Sequence, residues 1–258
     1  MTRRYVDLSV PLEAGIVSDP DIMLPKIEYL NHDDTAEQVC SLFPGMTKEQ
    51  LPGGEGWAVE QLQIATHNGT HLDAPYHYHS TMNNGERAIT IDEVPLEWCF
   101  NPGVKLDFRK FEDGYIVTAE DVEKELERIG HQLKPLDIVM VNTSAGDRYG
   151  KSDFLLKGCG MGREATLYLT ERGVRVTGTD AWSWDAPFPL TAKKFAEEKD
   201  PSIIWEGHRA GMDIGYCHIE KLTNLENLPA NGFEVSCFPF KIKNASAGFT
   251  RAVAIFED

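Results

Sequence analysis

The sequence predicts an α/β fold: one domain over residues 1–258, built on a mixed β-sheet core with flanking helices and long loops. Three observations lead there. Segments with strand patterning outnumber helical ones, and their order is mixed, which favours a mixed sheet. No repeat or low-complexity linker divides the chain. The hydrophobic fraction of 41%, with 10% aromatic residues, suffices for one sizeable core and argues against disorder.

Residues 5–12 read as a short strand ending at Pro11. Residues 18–55 are rich in Asp, Pro, Gly and Asn and predict an irregular arm, a lid or a partner-binding excursion. Residues 57–66 alternate apolar and polar (Val59, Leu62, Ile64), as a half-buried strand does. A further strand is expected at 104–108. Thr118 with Asp121 caps a helix in which Val122, Leu126 and Ile129 recur at helical spacing up to Gly130. Residues 137–142, with Ile138, Val139, Met140 and Val141, predict a buried strand. A helix over 160–172 should stop at Gly173, and a strand should follow over 174–179. An irregular aromatic segment (Trp182, Trp184, Phe188, Phe195) then leads to His208, and strands at 233–235 and 252–256 close the chain.

The formal charge of −16 argues against nucleic acid or an anionic membrane as partner. Cys40, Cys99, Cys159, Cys217 and Cys237 are odd in number, far apart and free of any CxxC pair. They fit reduced thiols in the cytoplasm. The basic start, Met1 to Arg4, leads into no apolar stretch, so no signal peptide is expected. No apolar run is long enough for a transmembrane helix.

Chemistry concentrates between residues 67 and 77, where His67, His71 and His77 accompany Asp73. Imidazole and carboxylate are donors that zinc and manganese accept. Gly69 and Pro75 disfavour a helix there, so a strand end turning into a loop is expected, with His71 and Asp73 on one side. Thr70 could hold a ligand in orientation from behind. The plainer alternative is a polar loop carrying surface histidines. Four of the eight histidines (His67, His71, His77, His79) falling within thirteen positions weigh against it. His79 is as much bystander as participant. Gly158 to Glu164 lacks the Lys and Ser/Thr of a phosphate loop, and Cys159 has no partner that would make it a nucleophile.

The pattern His67-x-Gly-Thr-His71-x-Asp73-Ala-Pro-x-His77 resembles the signature of the cyclase-like metal-dependent hydrolases, of the bacterial kynurenine formamidase and isatin hydrolase type. The resemblance extends to residues 7–12, 220–225 and 248–254. It implies a swivelling β/β/α-like sheet and a homodimer or larger assembly. It also implies a second His and Glu twelve residues apart, the separation of His208 and Glu220. By resemblance His67, His71, Asp73, His208 and Glu220 are ligands of one or two Zn2+ or Mn2+ ions, Asp73 bridging if two bind, and His77 is the acid/base. Read from the residues alone, His208 is an isolated histidine. His218 lacks the matching spacing.

A divalent ion lowers the pKa of its water from about 15.7 to about 7, which suits hydrolysis of an amide, cyclic amide, imide or lactone. His77 is placed to shuttle the proton. Trp57, Trp182, Trp184 and Phe188 are candidates for an apolar wall against a small aromatic or cyclic substrate, though tryptophans also serve cores. The long arm and the 182–188 segment resemble the larger hydrolases of the family and leave the substrate open. Arylformamidase activity on N-formylkynurenine, cyclase or lyase chemistry, and a non-catalytic metal-stabilised binding protein are the alternatives. Structural zinc sites are usually closed and rich in cysteine, unlike this cluster.

Overall fold

The apolar run at Ile138–Asn142 lies at the centre of a nine-stranded sheet in the computed structural model, which describes residues 2–257. All five of its residues are buried, as in a strand covered on both faces. Ile138 and Met140 enter one apolar cluster, while Val139 and Val141 enter a second on the opposite face. Four parallel strands form the middle, in the order Phe100–Asp107, Ile138–Asn142, Val176–Thr179 and Cys217–Glu220. Antiparallel strands extend both sides. Phe233–Ser236, Val253–Glu257 and Arg3–Asp7 lie beyond Phe100–Asp107, while His71–Asp73 and Ala247–Phe249 lie beyond Cys217–Glu220. The mixed sheet expected from the sequence is therefore present.

Helices Ala119–Ile129 and Arg163–Glu171 cover the Val139/Val141 face through Val122, Leu126, Ala165 and Leu169. The first begins with a reciprocal cap: the Thr118 hydroxyl accepts from the Asp121 N–H at 3.2 Å, and the Asp121 carboxylate accepts from the Thr118 N–H at 2.9 Å. Gly130 ends it at φ 64°, a conformation that favours glycine.

Three segments differ from expectation. Residues 18–55 are not irregular throughout: strand Lys26–Leu30 and helix His32–Ser41 lie inside them. Asn31 caps that helix in a reciprocal box with Asp34, and Ala36, Val39, Cys40 and Leu51 make a small core of their own. Short elements between Pro and Gly turns hide their periodicity. The strand expected over 57–66 forms as Val59–Gln63, but it pairs only with Lys26–Leu30 in a separate ribbon and all five residues are exposed. Its alternation has no core to face. Third, the aromatic segment contains an eleven-residue helix, Phe188–Glu198, masked in the sequence by Pro187 at its N-cap and Pro189 in its permissive first turn.

Among the described residues no helix is long and apolar enough to cross a membrane.

Candidate metal centre

Strand register builds the floor of the site. On His71–Asp73, Leu72 enters the core, so His71 and Asp73 point to the opposite face. The neighbouring antiparallel strand places His218 opposite Asp73 and Glu220 opposite His71, with Ile219 in the core. Directly opposed residues share a face, so these four polar side chains converge. His218 Nε2 lies 3.1 Å from Asp73 Oδ2 and 3.2 Å from Glu220 Oε1. His71 Nε2 lies 3.3 Å from Asp73 Oδ1 and 3.5 Å from Glu220 Oε2.

Three more histidines close over this floor. His67 sits before the turn at Gly69 (φ 58°) and brings Nδ1 to 2.9 Å from Asp73 Oδ1. Pro75 opens the one-turn helix Pro75–Tyr78, which folds His77 back to 3.9 Å from Asp73 Oδ2. His208 rides on Glu206–Arg209, and its Nε2 is 3.7 Å from Glu220 Oε1. Asp185 anchors that turn by accepting the Gly207 and His208 N–H groups at 2.8 and 3.1 Å and by pairing with His208 Nδ1.

Outer contacts fix how the rings face the site. His71 Nδ1 donates to the Gly69 carbonyl at 2.9 Å, which turns the Nε2 lone pair inward. Asp185 does the same for His208. Tyr78 lies parallel to the His218 ring at 5.1 Å, with its hydroxyl 3.1 Å from Nδ1. Trp184 lies beneath the same ring, and its indole N–H donates to Thr166 at 3.0 Å.

Two carboxylates buried side by side require positive charge near them. Burial alone would raise Asp73, but His77, His71 and His67 around it hold it well below the usual carboxylate range. Burial likewise opposes Glu220, yet the His218 hydrogen bond brings it to about 2. His218 is the counterpart: burial lowers it, but the Asp73 and Glu220 carboxylates beside it lift it to about 9. Burial lowers His67 as well, and the Asp73 carboxylate outweighs that and raises it. Burial drives His77 the other way, to about 4.

The donor set fits a divalent cation. His71 Nε2 and both Asp73 oxygens are buried with their lone pairs in no well-aligned hydrogen bond, although imidazole nitrogens crowd the carboxylate. Two groups have donor atoms close enough to share an ion: Asp73, His208, His218 and Glu220, and His67, Asp73 and His77. Asp73 belongs to both.

The structure thus brings together His67, His71, Asp73, His77, His208 and Glu220. It adds His218, which spacing alone had set aside; its position two residues before Glu220 on a strand was the available signal. Asp185, Tyr78 and Trp205, whose ring stacks on His208 at 4.5 Å, carried no signal in the sequence. His79 is exposed and hydrogen-bonds Thr81, a bystander.

Other expectations are corrected. Thr70 holds no ligand side chain; its hydroxyl donates to the Lys221 carbonyl at 2.6 Å and accepts from the Val10 N–H at 2.9 Å. Trp184 is 1% exposed with its N–H engaged, so it supports the floor and offers no wall to a substrate. Trp57 stands on the outlying arm, 41% exposed. Trp182 and Phe188 meet edge to face at 5.2 Å beside the site. The backbone N–H groups of Gly160, Met161, Gly162 and Arg163 are taken by Tyr115, Trp184, Val117 and Glu206, so these four are not offered to an anion. Burial pushes the Cys159 thiol up to about 12, the opposite of a nucleophile.

Together the mixed sheet and its buried His/Asp/Glu face define the class: a metal-dependent hydrolase. A family model described as putative cyclase matches residues 6–186, and the chain belongs to that cyclase family. It is 29% identical over 198 residues to a kynurenine formamidase of Salinibacter ruber, covering 74% of this chain and 77% of that protein. Among solved structures, isatin hydrolase A from Labrenzia aggregata, bound to benzyl benzoate, superposes with TM-score 0.74 at 23% identity, covering 99% and 94% of the two chains. Isatin hydrolase A from Ralstonia solanacearum gives TM-score 0.75 at 23% identity, covering 99% and 92%.

Proposed function

We propose that this chain hydrolyses an amide, cyclic amide, imide or lactone bond of a small aromatic or cyclic compound with the help of zinc or manganese. The observation that carries the reading is Asp73, wholly buried, ringed by His67, His71, His77 and His218 and common to two clusters of donors. His67, His71, Asp73, His208 and Glu220 are the proposed ligands of one or two ions, and Asp73 would be shared if two bind. His218 reaches both carboxylates and joins the set as a ligand or as their charge partner. When bound, the ion supplies Lewis acidity and an activated water. His77, neutral at pH 7, offers a lone pair that takes a proton from the nucleophile and returns it to the leaving nitrogen or oxygen.

Trp182 and Phe188 form the proposed wall for the planar part of the substrate. An apolar recess of about 230 Å³ adjoins them, lined by Phe188, Phe195, Ile204 and Trp205. It suits a hydrophobic substituent. The Salinibacter ruber relative supports N-formylkynurenine as the second candidate, the arylformamidase reading.

The test is a panel of N-formyl amides, isatin-like lactams and lactones, assayed with metal, after chelation and after metal return. Turnover should vanish on chelation and recover with zinc or manganese. Product formed in oxygen-18 water should carry solvent oxygen; its absence would favour cyclase or lyase chemistry. Chelation that unfolds a chain inactive on every member of the panel would favour a metal-stabilised binding protein.

The proposed assembly is a homodimer or larger oligomer. The Lys26–Leu30/Val59–Gln63 ribbon supports it, because Tyr29 and Leu62 stand 66% and 53% exposed on a two-stranded element that is marginal alone in water. Light scattering during size exclusion should give at least twice the 28.9 kDa chain mass. A monomer at micromolar concentration would sink the idea. Five buried, unpaired cysteines support a reducing compartment, the cytoplasm.

A further inference from the structure

One buried carboxylate at the start of the arm reaches the back of the metal loop. Asp19 is 2% exposed and accepts from Ser18 Oγ at 3.0 Å, Asn68 Nδ2 at 3.0 Å and Trp182 Nε1 at 3.1 Å. It also pairs with the ammonium of Lys221, itself 1% exposed. Lys221 directly follows Glu220 and holds φ 58°, a region that a side chain of this kind rarely adopts. Its Nζ donates to the main-chain carbonyl of His67 at 2.7 Å, and its own carbonyl accepts the Thr70 hydroxyl.

We propose that the Asp19–Lys221 pair positions the metal centre, fixing His67 from behind and tying that ligand to Trp182 of the substrate wall. The inference rests on the metal-dependent reading above. A buried ion pair seldom adds stability over apolar packing of the same volume. Placement explains this one better: a single ammonium joins the carbonyl of one proposed ligand to the residue following another, where the backbone is held in a strained turn. His67 lies in a loop with no strand to hold it, so ordering it in advance lowers the entropy lost on ligation. Asp19 completes the device by satisfying Lys221 while holding Asn68, the residue after His67, and the Trp182 indole.

The test compares the wild-type chain with Lys221→Met and with the double variant Asp19→Asn/Lys221→Gly. The single variant strands a buried carboxylate and is the one at risk of not folding. The double variant carries neither charge of the pair, and glycine suits φ 58° at position 221. Zinc affinity is read by competition with a chelating dye, and the metal-free melting temperature is read in parallel. The double variant should melt near the wild type without metal yet bind zinc at least about tenfold more weakly, the scale on which supports of metal ligands act. Affinity within about twofold of wild type would overturn the proposal, being below that scale. A double variant unfolded without metal would overturn it as well, by making the pair a folding element. Absence of zinc binding by the wild-type chain would instead remove the metal reading, and the proposal with it.

Discussion

Asp73→Asn should abolish metal binding and lower kcat/KM by roughly a thousandfold or more, the scale set by losing several kcal/mol of charge stabilisation at about 1.4 kcal/mol per decade. The substitution keeps the size of the side chain and removes its charge. The position is fully buried, and His67, His71, His77 and His218 all approach it within 3.9 Å. In the metal-free chain His218, lifted to about 9, carries the compensating proton. With Asp73 neutralised, Glu220 is the remaining buried anion facing that ring, and a divalent ion loses the one carboxylate that serves both donor groups. Metal content per chain, measured after exhaustive dialysis, decides the matter. Wild-type stoichiometry in Asp73→Asn would show that the ion binds elsewhere. Because the residue lies on a strand whose alternate side chain, Leu72, is anchored in the core, the backbone should hold and the variant should remain folded.

How much of this could be read from the sequence depends on the range of each interaction. The buried strand at 138–142 and the helix from Thr118 to Gly130 were legible because their signals are local: an apolar run, a cap, a left-handed glycine. The His67–His77 cluster was legible because its members crowd one turn and one strand. His218 was not, since nothing in Cys217–Glu220 announces that it will lie opposite His71–Asp73; that pairing joins residues far apart in sequence. Had the register been known, the alternation His218–Ile219–Glu220 would have yielded it at once. Asp185 and Trp205 act through tertiary contacts with His208 that leave no local trace. The same limit explains Trp184. Its neighbours suggested an aromatic wall, but the fold turns its ring beneath His218 and out of reach. The arm failed for a different reason. The alternating strand expected over 57–66, which pairs with it, looked half-buried, but alternation reports two unlike faces without saying what either face meets.

His77→Ala should retain metal and lose most turnover, about a hundredfold or more in kcat, as removal of a positioned proton shuttle does. The ring lies in tilted contact with His67 at 4.1 Å and edge-on to Trp205 at 5.1 Å, so it stands between the ligand cluster and the apolar recess where a substrate would sit. Its Nε2 is 3.9 Å from Asp73, farther than the corresponding nitrogens of His67, His71 and His218. Distance and place favour a proton carrier over a ligand. Unchanged metal content with a collapse in kcat is the expected pair of results; loss of metal would make His77 a ligand of the group it shares with His67 and Asp73. The metal-free protein offers an independent readout. Burial lowers His77 from 6.5 to about 4, so the folded chain binds fewer protons at this position than the unfolded one. Its contribution to stability is therefore intact above pH 6.5 and is lost as the pH falls towards 4. Removing the ring should flatten the fall in melting temperature across that window. An identical pH profile in His77→Ala would mean that the imidazole titrates normally and that the site is wetter than its packing implies.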